Sequence, residues 1–289
     1  MNDLTNDILV KLILFVALSL VIVVFIIYAE QFITMLQWRL PRPMPVAAHF
    51  KDERGNGTVV VLGLGQSNAA SHGSVRRRGG ENVYAFFKGD HYMPYDPWPG
   101  STGKGGSVWS RLGRILATRS DMVKIVISSA AVGGSSIQDW VESGNLSQHL
   151  DSTLDDLLQN GHIPDWVIWH QGETDAYAGS MTSEEYERHL RSVIQAIREK
   201  GILSPILVCM ATSHADSPPN ESIRLAQQSV WDLENSVYAG VDTDSFGDRY
   251  RRDRVHFNDE GLRLFAEGLV LAMERKSVIE PIRLRDLKR

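Results

Sequence analysis

Four polar blocks in the 289-residue chain hold residue types that could transfer an acyl group. The first is Gly65-Gln66-Ser67-Asn68, directly after the run TVVVLGLG and before Ala69 and Ala70. A serine on a tight turn at the end of a strand exposes its hydroxyl while nearby backbone N–H groups point at the same spot, the geometry a nucleophile needs. A serine beside glycine also serves as a plain turn former or helix cap. The second block is Asp253-Arg254-Val255-His256, just before Asn258-Asp259, which reads as a helix start. Three-residue spacing on a turn lets Asp253 accept the imidazole Nδ1–H and leave Nε2 free as a base. The alternative is a histidine paired near a helix start. The third, His170-Gln171-Gly172-Glu173-Thr174-Asp175, crowds five polar side chains around one glycine, and these must bind each other or bind something else. The fourth is Ala130-Ala131-Val132-Gly133-Gly134-Ser135-Ser136, where paired glycines let a backbone N–H approach a ligand, although a strand-to-helix turn needs them too.

These blocks require a scaffold that brings distant segments together. TVVVLGLG, Val123 to Ile127, Trp166 to Trp169 and Ile206 to Met210 are short apolar runs of buried-strand type. Helical spacing marks Val108 to Thr118, Leu150 to Leu158, Ser183 to Glu199, Ser222 to Leu233 and Asp259 to Glu274. Alternating strands and helices predict a three-layer α/β/α domain with a central parallel sheet, its chemistry gathered at the carboxyl ends of the strands. The Gly-, Pro- and aromatic-rich stretch Arg76 to Thr102 lacks periodicity and either lines a cleft or covers the sheet; Arg76-Arg77-Arg78 within it reads as a solvated loop.

Taken together, the four blocks resemble the SGNH hydrolases, and within them the sialate O-acetylesterase-like group similar to carbohydrate esterase family 6, where the serine block reads GQSN and the third block HQGE. The resemblance spans about residues 57 to 275 and has an SGNH/flavodoxin-like fold. It implies Ser67 as nucleophile, His256 as base and Asp253 as its partner. It further implies an oxyanion hole from the N–H groups of Ser67 and Gly134 and the side chain of Gln171. Asn68 and Glu173 join the binding set, Glu173 to orient His256 or the Ser67 loop, and His170 serves equally well as a structural residue. The substrate so implied is an acetylated carbohydrate, and no cofactor is implied. A lipid or short-chain acyl esterase, acetyl transfer to another sugar, and a non-catalytic glycan-binding protein of a polysaccharide assembly complex remain alternatives. Trp98, Trp109, Trp140 and Tyr177 favour sugar, because flat aromatics stack on sugar faces, but would serve equally as core.

Composition removes other classes. Net charge is −5, with no basic footprint for nucleic acid. The single cysteine, Cys209, excludes an intrachain disulfide and a cysteine-based metal site, and reads as a small core residue. The nine histidines form no HExxH motif, and Gly100-Ser101-Thr102-Gly103-Lys104-Gly105 lacks the spacing of a phosphate-binding loop. Residues 8–28, predominantly apolar and uncharged except for Lys11, reach the roughly 20 residues that span a bilayer and predict an uncleaved single-pass anchor. The expected order is an N-terminal tail (1–7), the anchor (8–28), a proline-bearing linker (29–56), the esterase-like domain (57–275) and a C-terminal tail (276–289). Positive charges flank both sides of the anchor and leave its orientation open.

Overall fold

A computed structural model describes residues 57–119, 124–215, 217–275 and 280–287. The anchor expected at 8–28 and the linker at 29–56 lie outside the described residues; among the described residues no helix is long and apolar enough to cross a membrane.

Seven strands form one sheet: β1 (Thr58–Gly65), β2 (Val83–Phe87), β3 (Asp90–Tyr92), β4 (Lys124–Ser129), β5 (Trp166–His170), β6 (Ile206–Met210) and β7 (Val237–Asp242). Their order is β3-β2-β4-β1-β5-β6-β7. Every pairing is parallel except β2 with β3, a hairpin that places an antiparallel strand on one edge. The helices are α1 (Val108–Thr118), α2 (Ser147–Gln159), α3 (Glu173–Ala178), α4 (Ser183–Glu199), α5 (Glu221–Ser229) and α6 (Asp259–Glu274). Side chains alternate across a strand, so β1 feeds two cores: Val61 packs on one face with α1 and α6, and Val60, Leu62 and Leu64 on the other with α2, α4 and α5. This is the three-layer α/β/α arrangement expected.

Local chemistry fixes the helix starts. Ser107 Oγ accepts the Ser110 N–H ahead of α1, and Asn258 Oδ1 accepts the Gly261 N–H ahead of α6, each satisfying a donor the helix leaves unpaired. Residues 280–287, beyond the expected domain end at 275, run beside β7: Ile282 exchanges backbone hydrogen bonds with Gly240 and Asp242 and is buried.

Of the two uses open to the tryptophans, the structure takes the core and not the sugar face. Trp98, Trp109 and Trp140 are each at most 1% exposed, so none offers a face to a sugar. Their indoles instead donate to Ile127 O within β4, to Ala69 O and to Ser135 Oγ, the last two holding the turns after β1 and β4. Burial favours this use, since an indole N–H enclosed in protein needs an acceptor. Tyr177 alone of the four is exposed, with its ring centroid 4.3 Å from that of His214. Arg76 also departs from a solvated loop: it is buried, and Nε and Nη2 donate to Lys104 O.

Candidate active site

The chain reverses direction across the sheet at β1, whose neighbours are β4 on one side and β5 on the other. Their carboxyl ends therefore lie at a topological switch point, where α/β sheets bind ligands. Ser67 begins a short 3-10 turn immediately after β1 and is 5% exposed. Gly65, at φ +128°, lets the strand run against β5: a Cβ there would lie 2.0 Å from His170 O. Gln66 N–H then donates to that same carbonyl at 3.0 Å.

Asn68, the residue after Ser67, joins the serine turn to the histidine turn. Its Nδ2 donates to Val255 O (3.2 Å) and to Glu173 Oε1 (2.9 Å), and its Oδ1 accepts the Phe257 N–H (3.1 Å). It thus clamps the backbone on both sides of His256. A second tie, Ser74 N–H to Phe257 O at 3.1 Å, fixes the same two segments further along.

His256 Nδ1 lies 2.8 Å from Asp253 Oδ2, while Asp253 Oδ1 accepts the N–H groups of Val255 and His256. Partial burial works to raise the Asp253 pKa, but these hydrogen bonds overcome it and hold the carboxyl well below the usual carboxylate range. Asp253 is therefore an anion through the physiological range and fixes the tautomer with the proton on Nδ1. Among the described residues no hydrogen bond joins Ser67 Oγ to His256, so the serine and the histidine–aspartate pair are brought together by their backbones.

On the other side of β1, Gly134 sits in the turn after β4 at φ +75°, with open space where a Cβ would be, so the backbone angle and not crowding calls for glycine. Neither its N–H nor that of Ser67 is hydrogen bonded to another described group, whereas the N–H of Gly133 is taken by Thr102 Oγ1 at 2.8 Å.

Gln171 is fully buried and its amide is spoken for. Nε2 contacts Ser135 O (3.0 Å), Asp175 Oδ2 and Gln66 Oε1 (3.3 Å), and Oε1 accepts from the Tyr186 hydroxyl (2.9 Å). An amide has two hydrogens, and three protein acceptors surround this one. Asp175 also accepts the Ile137 N–H, so Gln171 and Asp175 together hold the loop that carries Gly134.

Glu173 is 1% exposed, and burial pushes its carboxyl up to about 7, the hydrogen bond from Asn68 opposing this only in part. Its Oε2 has no partner, nor does His170 Nδ1, which lies 3.8 Å from Oε1. His170 Nε2 lies 3.0 Å from Thr243 Oγ1, and burial drives the imidazole down to about 3, so the ring is neutral. A proton on Glu173 would replace an unpaired buried charge by a buried neutral acid. Of the two roles expected for Glu173, the structure shows contact with the Ser67 loop through Asn68. Sequence reasoning passed over Gln66, whose Oε1 accepts the Thr174 N–H, and over His72, which lies against His256. The only signal for either was its place within five residues of Ser67.

Comparison with known proteins agrees with this architecture. No curated protein matches the chain in sequence. Among solved structures, one from Arabidopsis thaliana matches with a TM-score of 0.60 at 18% identity, covering 78% of this chain and 100% of that one. NanS matches with a TM-score of 0.52 at 16% identity, covering 76% and 97%. Such identities establish a shared fold. The family model described as "Carbohydrate esterase, sialic acid-specific acetylesterase" matches residues 57–275, which include all four polar blocks. With most of its length so matched, the chain belongs to the carbohydrate esterase family of sialic acid-specific acetylesterases.

Proposed function

We propose that the protein is a serine-dependent carbohydrate O-acetylesterase with Ser67 as nucleophile, His256 as base and Asp253 as the partner that orients it. Membership of the family makes the chain a hydrolase of acetyl esters; the serine mechanism is our reading of the site. The observation that carries it is Asn68, which ties the residue next to the candidate nucleophile to both peptide groups flanking the candidate base.

Ser67 Oγ attacks the ester carbonyl carbon as its proton passes to His256 Nε2. Negative charge then develops on the carbonyl oxygen, and the N–H groups of Ser67 and Gly134 are the donors left for it. Asp253, anionic and bonded to Nδ1, stabilises the imidazolium. Collapse of the intermediate expels the sugar oxygen, which takes the proton from His256, and an acetyl group remains on Ser67. Water attacks that ester with His256 again as base, releasing acetate and restoring Ser67. Separate catalytic groups in an unliganded site commonly close to hydrogen-bond distance only when substrate binds.

In this reading Gln171 holds the Gly134 loop through Ser135 and Asp175 instead of donating to the oxyanion. Exposed Tyr177 beside His214, on the same carboxyl edge of the sheet, supports a carbohydrate substrate. The apolar run at 8–28 supports attachment to a bilayer.

The test is hydrolysis of 4-nitrophenyl acetate and of longer-chain esters by the full chain and by Ser67→Ala. Activity that falls with chain length and drops by roughly 10⁴ or more in the variant is expected. Equal rates in the two proteins would refute the assignment of Ser67.

A further inference from the structure

A second histidine stands in the site. His72 stacks on His256, with ring centroids 5.3 Å apart and planes inclined by 21°. Its Nε2 lies 3.4 Å from Thr102 Oγ1, the same hydroxyl oxygen that accepts the Gly133 N–H at 2.8 Å. The imidazole also packs on the glycine itself, since a Cβ at Gly133 would lie 2.6 Å from His72 Nε2. Four stretches far apart in sequence thus meet at one ring: the segment after Ser67, the end of the aperiodic stretch before α1, the turn that carries Gly134 and the turn of His256.

The protonation states suit such a link. Burial, followed by the nearby His256 and Arg252, pulls the His72 pKa down to about 4, so the ring is neutral near pH 7. Thr102, having accepted the Gly133 N–H with its oxygen, keeps its own hydroxyl proton to offer to His72 Nε2.

We propose that His72 is a positioning residue that couples the base to the oxyanion turn: its ring fixes the plane of the His256 imidazole, and through Thr102 it fixes the peptide of Gly133 and hence the direction of the Gly134 N–H. The inference rests on the reading of Ser67 and His256 as an esterase pair. His256 takes and returns a proton twice in each turnover, so Nε2 must come back to the same place. Asp253 holds the ring at its Nδ1 edge, and His72 holds it on its face. A neutral aromatic face is also a favourable neighbour for the imidazolium that forms during the reaction. At the other end of the link, Thr102 occupies the Gly133 N–H and prevents that peptide from turning toward the substrate, which leaves Gly134 as the donor of the turn. Misplacing a donor or base by about 1 Å is enough to lower a rate roughly 10²-fold.

The test is a double-mutant cycle in the full chain on 4-nitrophenyl acetate, with His72→Ala, Thr102→Val and the two combined, and Ser67→Ala as the blank. Each single variant is expected to lose about ten- to a hundred-fold in kcat with KM changed less than about threefold, and the double to lose less than the product of the two. Should His72→Ala lose its cooperative unfolding transition, His72→Gln, which keeps bulk without the ring, takes its place in the same cycle. Wild-type kcat in the histidine variant, or losses that multiply, would overturn the coupling while leaving the esterase intact. Wild-type turnover no faster than Ser67→Ala would overturn the esterase reading, and this inference with it.

Discussion

Replacing Glu173 by Gln should stabilise the protein in a way that grows with pH. Its carboxyl is buried and takes its proton at about 7 in the folded chain, against 4.5 for the free side chain. In the unfolded chain the proton leaves near 4.5. The folded pKa is the higher of the two, so the stability linked to this proton is fully present below about pH 4.5 and is lost as the pH rises through about 7. Each pKa unit corresponds to about 1.4 kcal/mol, so the whole effect is roughly 3 kcal/mol, most of it falling between pH 5 and 8. Gln reproduces the uncharged acid, and its oxygen can still accept from Asn68 Nδ2. His170 is neutral down to about pH 3, and its own linkage is common to both proteins. Urea unfolding of wild type and Glu173→Gln at pH 5 and pH 9 measures the difference directly, because other titrating groups cancel. The stability gap should move by about 2 to 3 kcal/mol in favour of Gln on going to the higher pH. A gap that stays constant within about 0.5 kcal/mol would show that Glu173 ionises normally and that its burial is misassigned.

Asp253→Asn should lower kcat by about 10⁴, because an amide can accept or donate at Nδ1 and allows the wrong tautomer, and among the described residues no other carboxylate is bonded to His256; steady-state kinetics on 4-nitrophenyl acetate decide this, and a loss below about tenfold would disprove it. Asn68→Ala removes three hydrogen bonds and strands the buried Phe257 N–H and Glu173 Oε1, so a loss of about 3 kcal/mol in unfolding free energy is expected, together with a fall in kcat. Gly134→Ala meets no steric neighbour but must hold φ at +75°, which costs about 1 kcal/mol in stability; kcat should fall by more than that strain accounts for if the turn swings its N–H away. Tyr177→Ala should raise KM for an acetylated oligosaccharide several-fold and leave 4-nitrophenyl acetate turnover unchanged if the exposed ring acts, as proposed, by stacking on sugar.

The parts of the fold that announced themselves were those whose local pattern and tertiary role coincide. β1, β5 and β6 are continuous apolar runs because both faces of the sheet are covered, and α4 shows helical spacing over Ser183–Glu199 because one of its faces is solvated. β2 and β3 escaped notice inside the stretch from Arg76 to Thr102: β2 has only five residues and β3 three, and the strand that ties their hairpin to the sheet, β4, pairs with β2 from outside any local window. β7 was hidden for a related reason. It reads VYAGVD, with a glycine at its centre, and a Cβ at Gly240 would lie 2.8 Å from Cys209 Sγ on β6. Its smallness follows from a contact across the sheet and not from any preference of its own.

The same distinction runs through the site. Ser67, Asp253 and His256 could be proposed because a nucleophile, a base and its partner are defined by residue type and short spacing. The tryptophans stayed ambiguous because an aromatic side chain has the same letter whether it faces sugar or closes a core, and only the sheet decides; it placed Trp98, Trp109 and Trp140 inside, the N–H groups of the last two holding site turns. Gln171 poses the subtler problem. Its amide has the chemistry of an oxyanion donor, yet Tyr186 from α4, Asp175 from α3 and Ser135 from the β4 loop converge on it, and that convergence is invisible until the helices are packed. A buried amide with every hydrogen committed is worth more as a brace than as a free donor, because each bond it would give up leaves a buried acceptor unsatisfied. In the proposed mechanism the oxyanion therefore falls to backbone N–H groups, whose direction depends on turns, and those turns are held by side chains such as Thr102 and Gln171.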